Sequence, residues 1–185
     1  MTPTNVLSRL GRVSCVINPL SGSTPEGAAD LLREKLSDLP DAASIHTVGE
    51  DDLALLMEAA LAEEPDTLIV WGGDGTIACA LSHAGLLGPA VLPLPGGTMN
   101  MLPTRALGGD HEWDVLIDRA LQGGKVRPMP CGEIVGGPRF FVAAMMGDMT
   151  RFTNSREALR EGKILEAAEI VHDSSALALK SNIAW

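Results

Sequence analysis

The fold is decided at Trp71-Gly72-Gly73-Asp74-Gly75-Thr76, which joins an apolar, β-prone run at residues 67–70 to an Ala/Leu pattern at residues 77–81. This order predicts a strand, a glycine loop and then a helix. Glycines let backbone N–H groups approach a ligand, and the first turn of a helix adds unpaired N–H groups and a positive dipole end. The junction therefore predicts a phosphate-binding loop. A buried turn without a ligand is the alternative that the motif alone leaves open.

Size and composition indicate a folded protein in water. The 185 residues are 45% hydrophobic and 21% charged, enough for one domain, or for one domain and a piece of another. No apolar run has the length of a membrane span, and the N-terminus lacks a signal-peptide pattern, so we expect a cytoplasmic location. The net charge of −10 argues against nucleic acid as a partner, because phosphate backbones are bound by surplus Lys and Arg.

The cysteines indicate neither a metal site nor a disulfide. Cys15, Cys79 and Cys131 lie far apart without paired spacing, which argues against zinc and favours a reducing compartment. Cys15 and Cys79 fall in apolar runs. We therefore expect both to be small core residues.

Strands and helices are predicted to alternate over the first two thirds of the chain. The apolar runs at residues 13–17, 44–48, 67–71 and 90–94 predict four strands. The predicted helices lie between a Ser23-Pro25-Glu26 start signature and Pro40, after Asp51 and Asp52, from the glycine loop to about Leu87, and from Glu112 to Gly123. This alternation predicts an α/β fold with a parallel sheet flanked by helices.

Three polar loops are predicted at the carboxyl ends of strands. They span residues 18–23, 72–76 and 96–100, and each contains glycine together with a hydroxyl or amide side chain. Ligands of parallel sheets bind at the carboxyl ends of the strands. The sequence therefore predicts one ligand site built by the three loops together.

The character of the chain changes at residue 125. Residues 125–135 and 139–144 predict two antiparallel strands joined by a Gly136-Gly137-Pro138 turn. A loop at 147–154, a helix at 155–172 and a strand at 174–185 complete the prediction. We therefore expect a first domain at residues 1–124 and an incomplete, β-rich second domain at residues 125–185. The second domain contains a basic cluster of four residues: Arg151, Arg156, Arg160 and Lys163. We expect this cluster to be a solvated helix face, with contact to lipid headgroups as the alternative.

Three motifs in order resemble the diacylglycerol kinase catalytic domain family of lipid kinases, whose relatives include sphingosine and ceramide kinases. They are Asn18-Pro19 followed by Ser21-Gly22, then Gly72-Gly73-Asp74-Gly75-Thr76, then Pro95-Gly96-Gly97-Thr98-Met99-Asn100. The second motif is shared with NAD kinases and 6-phosphofructokinase-like enzymes, and the third favours the lipid kinases. No Gly-x-x-x-x-Gly-Lys-Ser/Thr motif is present, which excludes an ordinary P-loop.

The resemblance implies a 6-phosphofructokinase/NAD kinase-like nucleotide-binding domain that uses ATP and Mg²⁺. It implies transfer of the γ-phosphate to a hydroxyl of a lipid such as diacylglycerol, with the protein acting at or near a membrane surface. Asp74 is the implied catalytic and metal-binding residue. The implied nucleotide contacts are Asn18, Ser21, Gly72, Gly73, Gly75, Thr76, Gly97, Thr98 and Asn100.

The chain departs from its relatives after two of the motifs. Residues 77–79 read Ile-Ala-Cys where many relatives read Leu-Asn-Glu, and Met101 stands where they often have an Asp that helps to organise the metal. The family's catalytic acidic residue lies in a later Gly-rich segment, so we expect this chain to be a truncated piece. An NAD kinase-like enzyme and a non-catalytic ATP-binding protein remain alternatives. An unfinished sheet with open edges also favours a homodimer.

Overall fold

The computed structural model describes residues 10–39, 41–49, 52–137 and 139–142. By its contacts the chain divides into two units, Met1–Val142 and Ala143–Trp185, and all described residues belong to the first. The predicted loop at 147–154, the helix at 155–172 with its basic cluster, and the last strand therefore lie outside the described residues.

Four parallel strands form the central sheet. They are β1 (Val13–Ile17), β2 (Ser44–Thr47), β3 (Thr67–Gly72) and β4 (Ala90–Pro95), in the order β2-β1-β3-β4. The four predicted strands and their parallel pairing are confirmed. Every residue of β1 and β3 is buried, which explains their continuous apolar sequences, since both faces of a central parallel strand are covered.

In the described part of the chain, five helices cover the two faces of the sheet. They are α1 (Ala28–Lys35), α2 (Leu53–Ala62), α3 (Asp74–Ala84), α4 (Met101–Leu107) and α5 (Trp113–Leu121). One core cluster joins the sheet to α1 and α5 through Leu32, Trp71 and Ile117. A second cluster packs Met57 of α2 and Ile77 of α3 on the opposite face. The predicted α/β architecture is confirmed for the described residues.

The predicted start of the first helix is wrong. α1 begins at Ala28, after Gly27 in the left-handed conformation (φ 73°) and without a side-chain cap. Ser23 does not cap this helix, because its N–H and its hydroxyl both donate to carbonyl groups of the loop after β4. The helix also ends at Lys35, ahead of Pro40, although a turn continues to Leu39.

Helix α4 was not predicted from the sequence. It follows Asn100, which adopts the left-handed conformation at φ 46°, and it carries Pro103 in its first turn. A proline is tolerated there because the first N–H groups of a helix have no intrahelical acceptor. The combination of Asn100 and Pro103 is therefore a local helix-start signal that the sequence does contain.

The strand predicted at residues 125–135 is wrong in extent. Only β5 (Gly132–Glu133) forms, and it pairs with β6 (Arg139–Phe140). Their antiparallel pairing agrees with the prediction, whereas a β-rich second domain is not confirmed by the described residues. Phe141 is buried in the core cluster on the α2 and α3 side. The domain boundary near residue 125 stays a prediction.

Among the described residues no strand pairs with the outer edge of β4, and prolines occupy that edge. The N–H groups of Ala90 and Gly96 donate to the carbonyls of Asp66 and Gly72, each at 3.0 Å, so alternate residues of β4 face β3. The residues that face outward are Val91, Pro93 and Pro95. Because proline has no N–H, this edge is poorly suited to pairing with another strand. A homodimer stays a prediction, and we do not expect β4 to form it.

Candidate functional site

The three polar loops meet at the carboxyl edge of the sheet, between β1 and β3. The chain leaves β1 for its neighbour β2 on one side, and it leaves β3 for β4 on the other. α1 and α3 lie on opposite faces, so a crevice opens where the two connections diverge. Such a topological switch point is the usual ligand site of open α/β sheets.

Side chains of the loop after β1 bind the loop after β3. Asn18 Nδ2 donates to Thr76 Oγ1 at 3.0 Å, and the Asn18 Oδ1 atom accepts from Leu20 N at 3.1 Å. Ser21 Oγ accepts from Gly73 N at 3.0 Å. Thr76 itself is buried, with 5% of its surface exposed. Asn18, Ser21 and Thr76 therefore lie at the same edge of the sheet, where Asn18 binds Thr76 and Ser21 binds the backbone of Gly73. Their predicted contacts with a nucleotide stay predictions.

The glycines after β3 and β4 pack backbone against backbone. A Cβ atom built on Gly97 would lie 2.7 Å from Gly73 Cα, and one built on Gly96 would lie 2.9 Å from Gly72 Cα. No side chain fits at these distances, so the close approach of the two loops requires glycine. Gly75 differs from them, because no atom of the described residues lies within 4 Å of its added Cβ. Its exposed surface is open to a ligand.

Asp74 links the site to helix α4. Its Oδ1 atom accepts a hydrogen bond of 2.7 Å from Leu102 N, in the first turn of that helix. Asn100, which immediately precedes α4, does not cap it, because its Oδ1 atom accepts from Gly97 N at 2.8 Å. Asp74 therefore caps a neighbouring helix with one oxygen. Its Oδ2 atom has no hydrogen-bond partner among the described residues.

Ser23 joins the loop after β1 to the loop after β4. Its N–H donates to Gly96 O at 2.9 Å, and its hydroxyl donates to Gly97 O at 2.8 Å. The sequence predicts Ser23 both as the last residue of the first polar loop and as the start of a helix, but it does not predict these contacts with the loop after β4. The hydroxyl-rich run Ser21-Gly22-Ser23-Thr24 is the signal that favours such a role.

Backbone N–H groups at this edge remain available to a ligand. The ladder of α3 begins with Ile77 N donating to Gly73 O at 3.1 Å, and Gly73 provides no side-chain cap. The first N–H groups of a helix have no intrahelical acceptor. Within the described residues, the N–H groups of Asp74, Gly75 and Thr98 have no hydrogen-bond acceptor. Such groups at the positive end of a helix dipole favour an anion.

These residues suit a nucleotide phosphate with Mg²⁺. The three loops contain no Lys or Arg, and Asp74 is their one acidic residue. Mg²⁺ in nucleotide sites takes one or two protein carboxylates and completes its coordination with phosphate oxygens and waters. The described residues contain no group of three or more His, Cys, Asp or Glu side chains arranged to hold a metal. Asp74 would therefore share the ion with phosphate.

Comparison with known proteins agrees with the three motifs. The family model for the diacylglycerol kinase catalytic domain matches residues 12–134, which include all three loops. The chain belongs to this family. Its fold is similar to that of a diacylglycerol kinase from Bacillus anthracis str. Sterne, at 25% identity and a TM-score of 0.50, over 61% of this chain and 40% of that one. The predicted resemblance is confirmed.

A second structure from the same strain, described provisionally as a diacylglycerol kinase, has 24% identity and a TM-score of 0.51. That match covers 63% of this chain and 43% of the other. The chain thus spans about two fifths of the length of both structures. In the part of the chain that the structure describes, no helix is long and apolar enough to cross a bilayer.

The cysteines lie outside the site. Cys15 is buried in β1, and its burial raises the pKa of the thiol to about 12, so it stays protonated and unreactive. Its predicted place in the core is confirmed. Cys79 on α3 is half-buried and packs against a core cluster without belonging to it, so its predicted place in the core is wrong. Burial together with the Asp52 carboxylate raises the pKa of the Cys79 thiol. Cys131 is exposed.

Proposed function

We propose that this chain is the nucleotide-binding part of an ATP-dependent lipid kinase, which transfers the γ-phosphate to the hydroxyl of a lipid such as diacylglycerol. One observation carries the proposal: in a member of the diacylglycerol kinase family, Asp74 and N–H groups that have no acceptor among the described residues converge at the switch point of the sheet. Phosphoryl transfer depends mainly on positioning and on the neutralisation of charge, which these groups supply.

Each group has a distinct part in the proposed site. The N–H groups of Gly75 and Thr98 bind phosphate oxygens, and the packed glycines let the two loops approach closely enough to place both donors at one edge of the sheet. Asp74 would hold Mg²⁺, and the ion would supply positive charge that neutralises the phosphate. Asn18 and Ser21 keep the first two loops together, which fixes the spacing of the donors.

Exposed apolar side chains beside the loops support a lipid acceptor. Leu20 is 80% exposed, Met99 61% and Met101 44%, and all three belong to or adjoin the site loops. An apolar margin around a polar site suits an acceptor with a polar hydroxyl and an acyl body, presented at a membrane surface. We therefore propose a cytoplasmic protein that acts peripherally on the membrane.

Substitution of Asp74 tests the nucleotide site. Asp74→Asn keeps an oxygen for Leu102 N but loses the negative charge, whereas Asp74→Ala loses both. We expect Asp74→Asn to retain the wild-type midpoint of thermal unfolding and to weaken Mg²⁺-dependent binding of ATP about tenfold or more by titration calorimetry. Asp74→Ala should also lower the thermal midpoint. Equal affinities of wild type and Asp74→Asn, with and without Mg²⁺, would refute a metal role.

Transfer is tested with ATP labelled in the γ-phosphate, Mg²⁺ and a panel of acceptors. Labelled product from diacylglycerol or another lipid would support the proposed kinase, and label in NAD instead would favour the soluble-acceptor alternative. A non-catalytic nucleotide-binding protein has one specific observation in its favour, the apolar Met101 at the start of α4. It predicts ATP binding without labelled product from any acceptor.

A further inference from the structure

We propose that Ser23 is a positioning residue of this site, which fixes the Gly97–Thr98 peptide so that the Thr98 N–H faces a bound phosphate. The inference rests on the proposed nucleotide function and adds to it a residue outside the three matched motifs. Two hydrogen bonds of Ser23 support the inference, and both are donated to carbonyl groups of the glycine pair after β4.

The direction of the Thr98 N–H follows from the geometry of the peptide unit. In a trans peptide the carbonyl and the following N–H point in opposite directions, and the structure contains no cis peptide among its described residues. The Ser23 hydroxyl holds Gly97 O at 2.8 Å. The Thr98 N–H therefore points away from Ser23, and no described atom accepts its hydrogen bond.

The preceding peptides are fixed by other contacts. Gly96 N donates to Gly72 O at 3.0 Å, and Gly97 N donates to Asn100 Oδ1 at 2.8 Å. Within the described residues, the Ser23 hydroxyl is the donor that holds the Gly97 carbonyl. A peptide that follows glycine rotates easily, because glycine tolerates most backbone conformations. Loss of this hydroxyl would therefore free one peptide and leave the rest of the loop in place.

The position of this peptide agrees with a phosphate ligand. A Cβ atom built on Gly97 would lie 3.6 Å from Asp74 N, the first amide of α3. A Cβ atom built on Gly22 would lie 3.0 Å from Thr98 Oγ1. The Thr98 peptide thus lies beside the open N-terminus of α3 and beside the loop after β1. An anion at the helix end is within reach of a correctly turned Thr98 N–H.

The test compares wild type with Ser23→Ala, Ser23→Thr and Ser82→Ala in the full 185-residue chain. Ser82 is the matched control, since it is an exposed serine whose hydroxyl also donates to a backbone carbonyl, Ala78 O at 2.9 Å, away from the loops. Titration calorimetry measures the affinity for ATP with Mg²⁺. Amide NMR spectra measure the ATP-induced shifts of the Thr98 and Gly75 resonances.

We expect Ser23→Ala to weaken ATP binding about three- to tenfold, as for the loss of one well-formed hydrogen bond. Its thermal midpoint should change no more than that of Ser82→Ala. The ATP-induced shift of the Thr98 amide should be lost while that of Gly75 persists, and Ser23→Thr should restore both affinity and shift.

The two possible failures are distinguishable. If wild type binds no ATP, the nucleotide function fails and the inference fails with it. If wild type binds ATP but Ser23→Ala binds as tightly and keeps the Thr98 shift, the inference alone is overturned. Loss of the Thr98 and Gly75 shifts together in Ser23→Ala would also overturn it, because that result indicates a general disturbance of the loops.

Discussion

The two ends of the central strands carry polar networks of opposite kinds. At the carboxyl ends, neutral amide and hydroxyl groups hold three loops together, and N–H donors remain that have no acceptor in the described part of the chain. Toward the amino ends, charged side chains bind backbone groups: Arg12 Nη1 donates to Glu63 O at 2.9 Å, and Asp66 Oδ2 accepts from Arg12 N at 2.8 Å. One network is open to a ligand and the other is closed on itself.

Glu63 is the centre of the closed network. Its Oε2 atom accepts from Ser14 Oγ at 2.7 Å, and its Oε1 atom lies 3.1 Å from His46 Nε2. Ser14 is fully buried in β1, and its hydroxyl needs this acceptor. Polar residues at strand ends are therefore not functional by residue type alone. Donors that remain unpartnered distinguish a candidate ligand site from a structural network.

The largest expected effect is that of Gly97→Ala at the carboxyl end. The new methyl group would lie 2.7 Å from Gly73 Cα, and a backbone atom cannot move aside as a flexible side chain can. We expect the two glycine loops to separate, with loss of about 1–3 kcal/mol in the free energy of unfolding. ATP binding should weaken more than tenfold, because the donors of both loops would be displaced. Urea denaturation and titration calorimetry measure the two effects.

Gly49→Ala is the control for this substitution. Gly49 is exposed, and nothing lies within 4 Å of its added Cβ. Stability and ATP affinity should stay close to wild type. Normal ATP affinity in Gly97→Ala would show that close packing of the glycine loops does not define the site.

The sheet and the three loops were predictable because their signals are local. Buried parallel strands require continuous apolar runs, and β1 and β3 have them. Glycine pairs that end such runs are equally visible, and the order of the elements then places all three loops at one edge. The position of the site therefore follows from the sequence without knowledge of any side-chain contact.

The partners within the site were not predictable, because they are distant in sequence. Ser23 binds Gly97, 74 residues away, and Asp74 binds Leu102, 28 residues away. A local reading assigns Ser23 to a helix start, since Ser followed by Glu three positions later is typical of one. The long-range bonds of Ser23 replace that local arrangement.

The segment after α5 shows a different limit of the sequence pattern. Val126, Ile134 and Val135 favour a strand by type, but Pro128 and Pro130 remove two N–H groups that a ladder would need. Val126 is 79% exposed and Val135 is fully exposed, so burial of these side chains does not compensate for the missing backbone hydrogen bonds. Only two residues pair on each side. The prolines outweigh the β propensity.

A smaller effect is expected from Glu63→Gln at the amino end. Hydrogen bonds from Ser44 and then Ser14, together with His46, hold the pKa of Glu63 below its usual value of 4.5 despite partial burial. We expect the substitution to reduce the free energy of unfolding by about 1 kcal/mol at pH 7 and to leave ATP affinity unchanged. The expected loss is no larger because Glu63 is partly exposed, and solvent screens its interactions. Urea denaturation measures the first and calorimetry the second.

The difference in free energy of unfolding between wild type and Glu63→Gln should depend on pH in a definite direction. A carboxyl whose pKa is lower in the folded state stabilises the protein above its unfolded pKa, and this contribution is lost as the pH falls through the folded pKa. The gap between wild type and Glu63→Gln should therefore be full above pH 4.5 and shrink below it. Glu64→Gln, at the exposed neighbour, should show no such gap. A gap that persists unchanged at low pH would contradict a charge-based role.

The smallest stability effect, and the most discriminating, is expected from Gly75→Ala. Gly75 lies in the first turn of α3 with nothing within 4 Å of its added Cβ, and alanine favours a helix over glycine by up to about 1 kcal/mol. The free energy of unfolding should therefore rise by about 0.5 kcal/mol. ATP binding should weaken about threefold or more, because the methyl group occupies the space through which phosphate reaches the N–H. A gain in stability together with a loss of ATP affinity would indicate that this position serves a ligand, in contrast to the structural network at the amino ends of the strands. If Gly75→Ala instead binds ATP as wild type does, the N-terminus of α3 does not hold the phosphate.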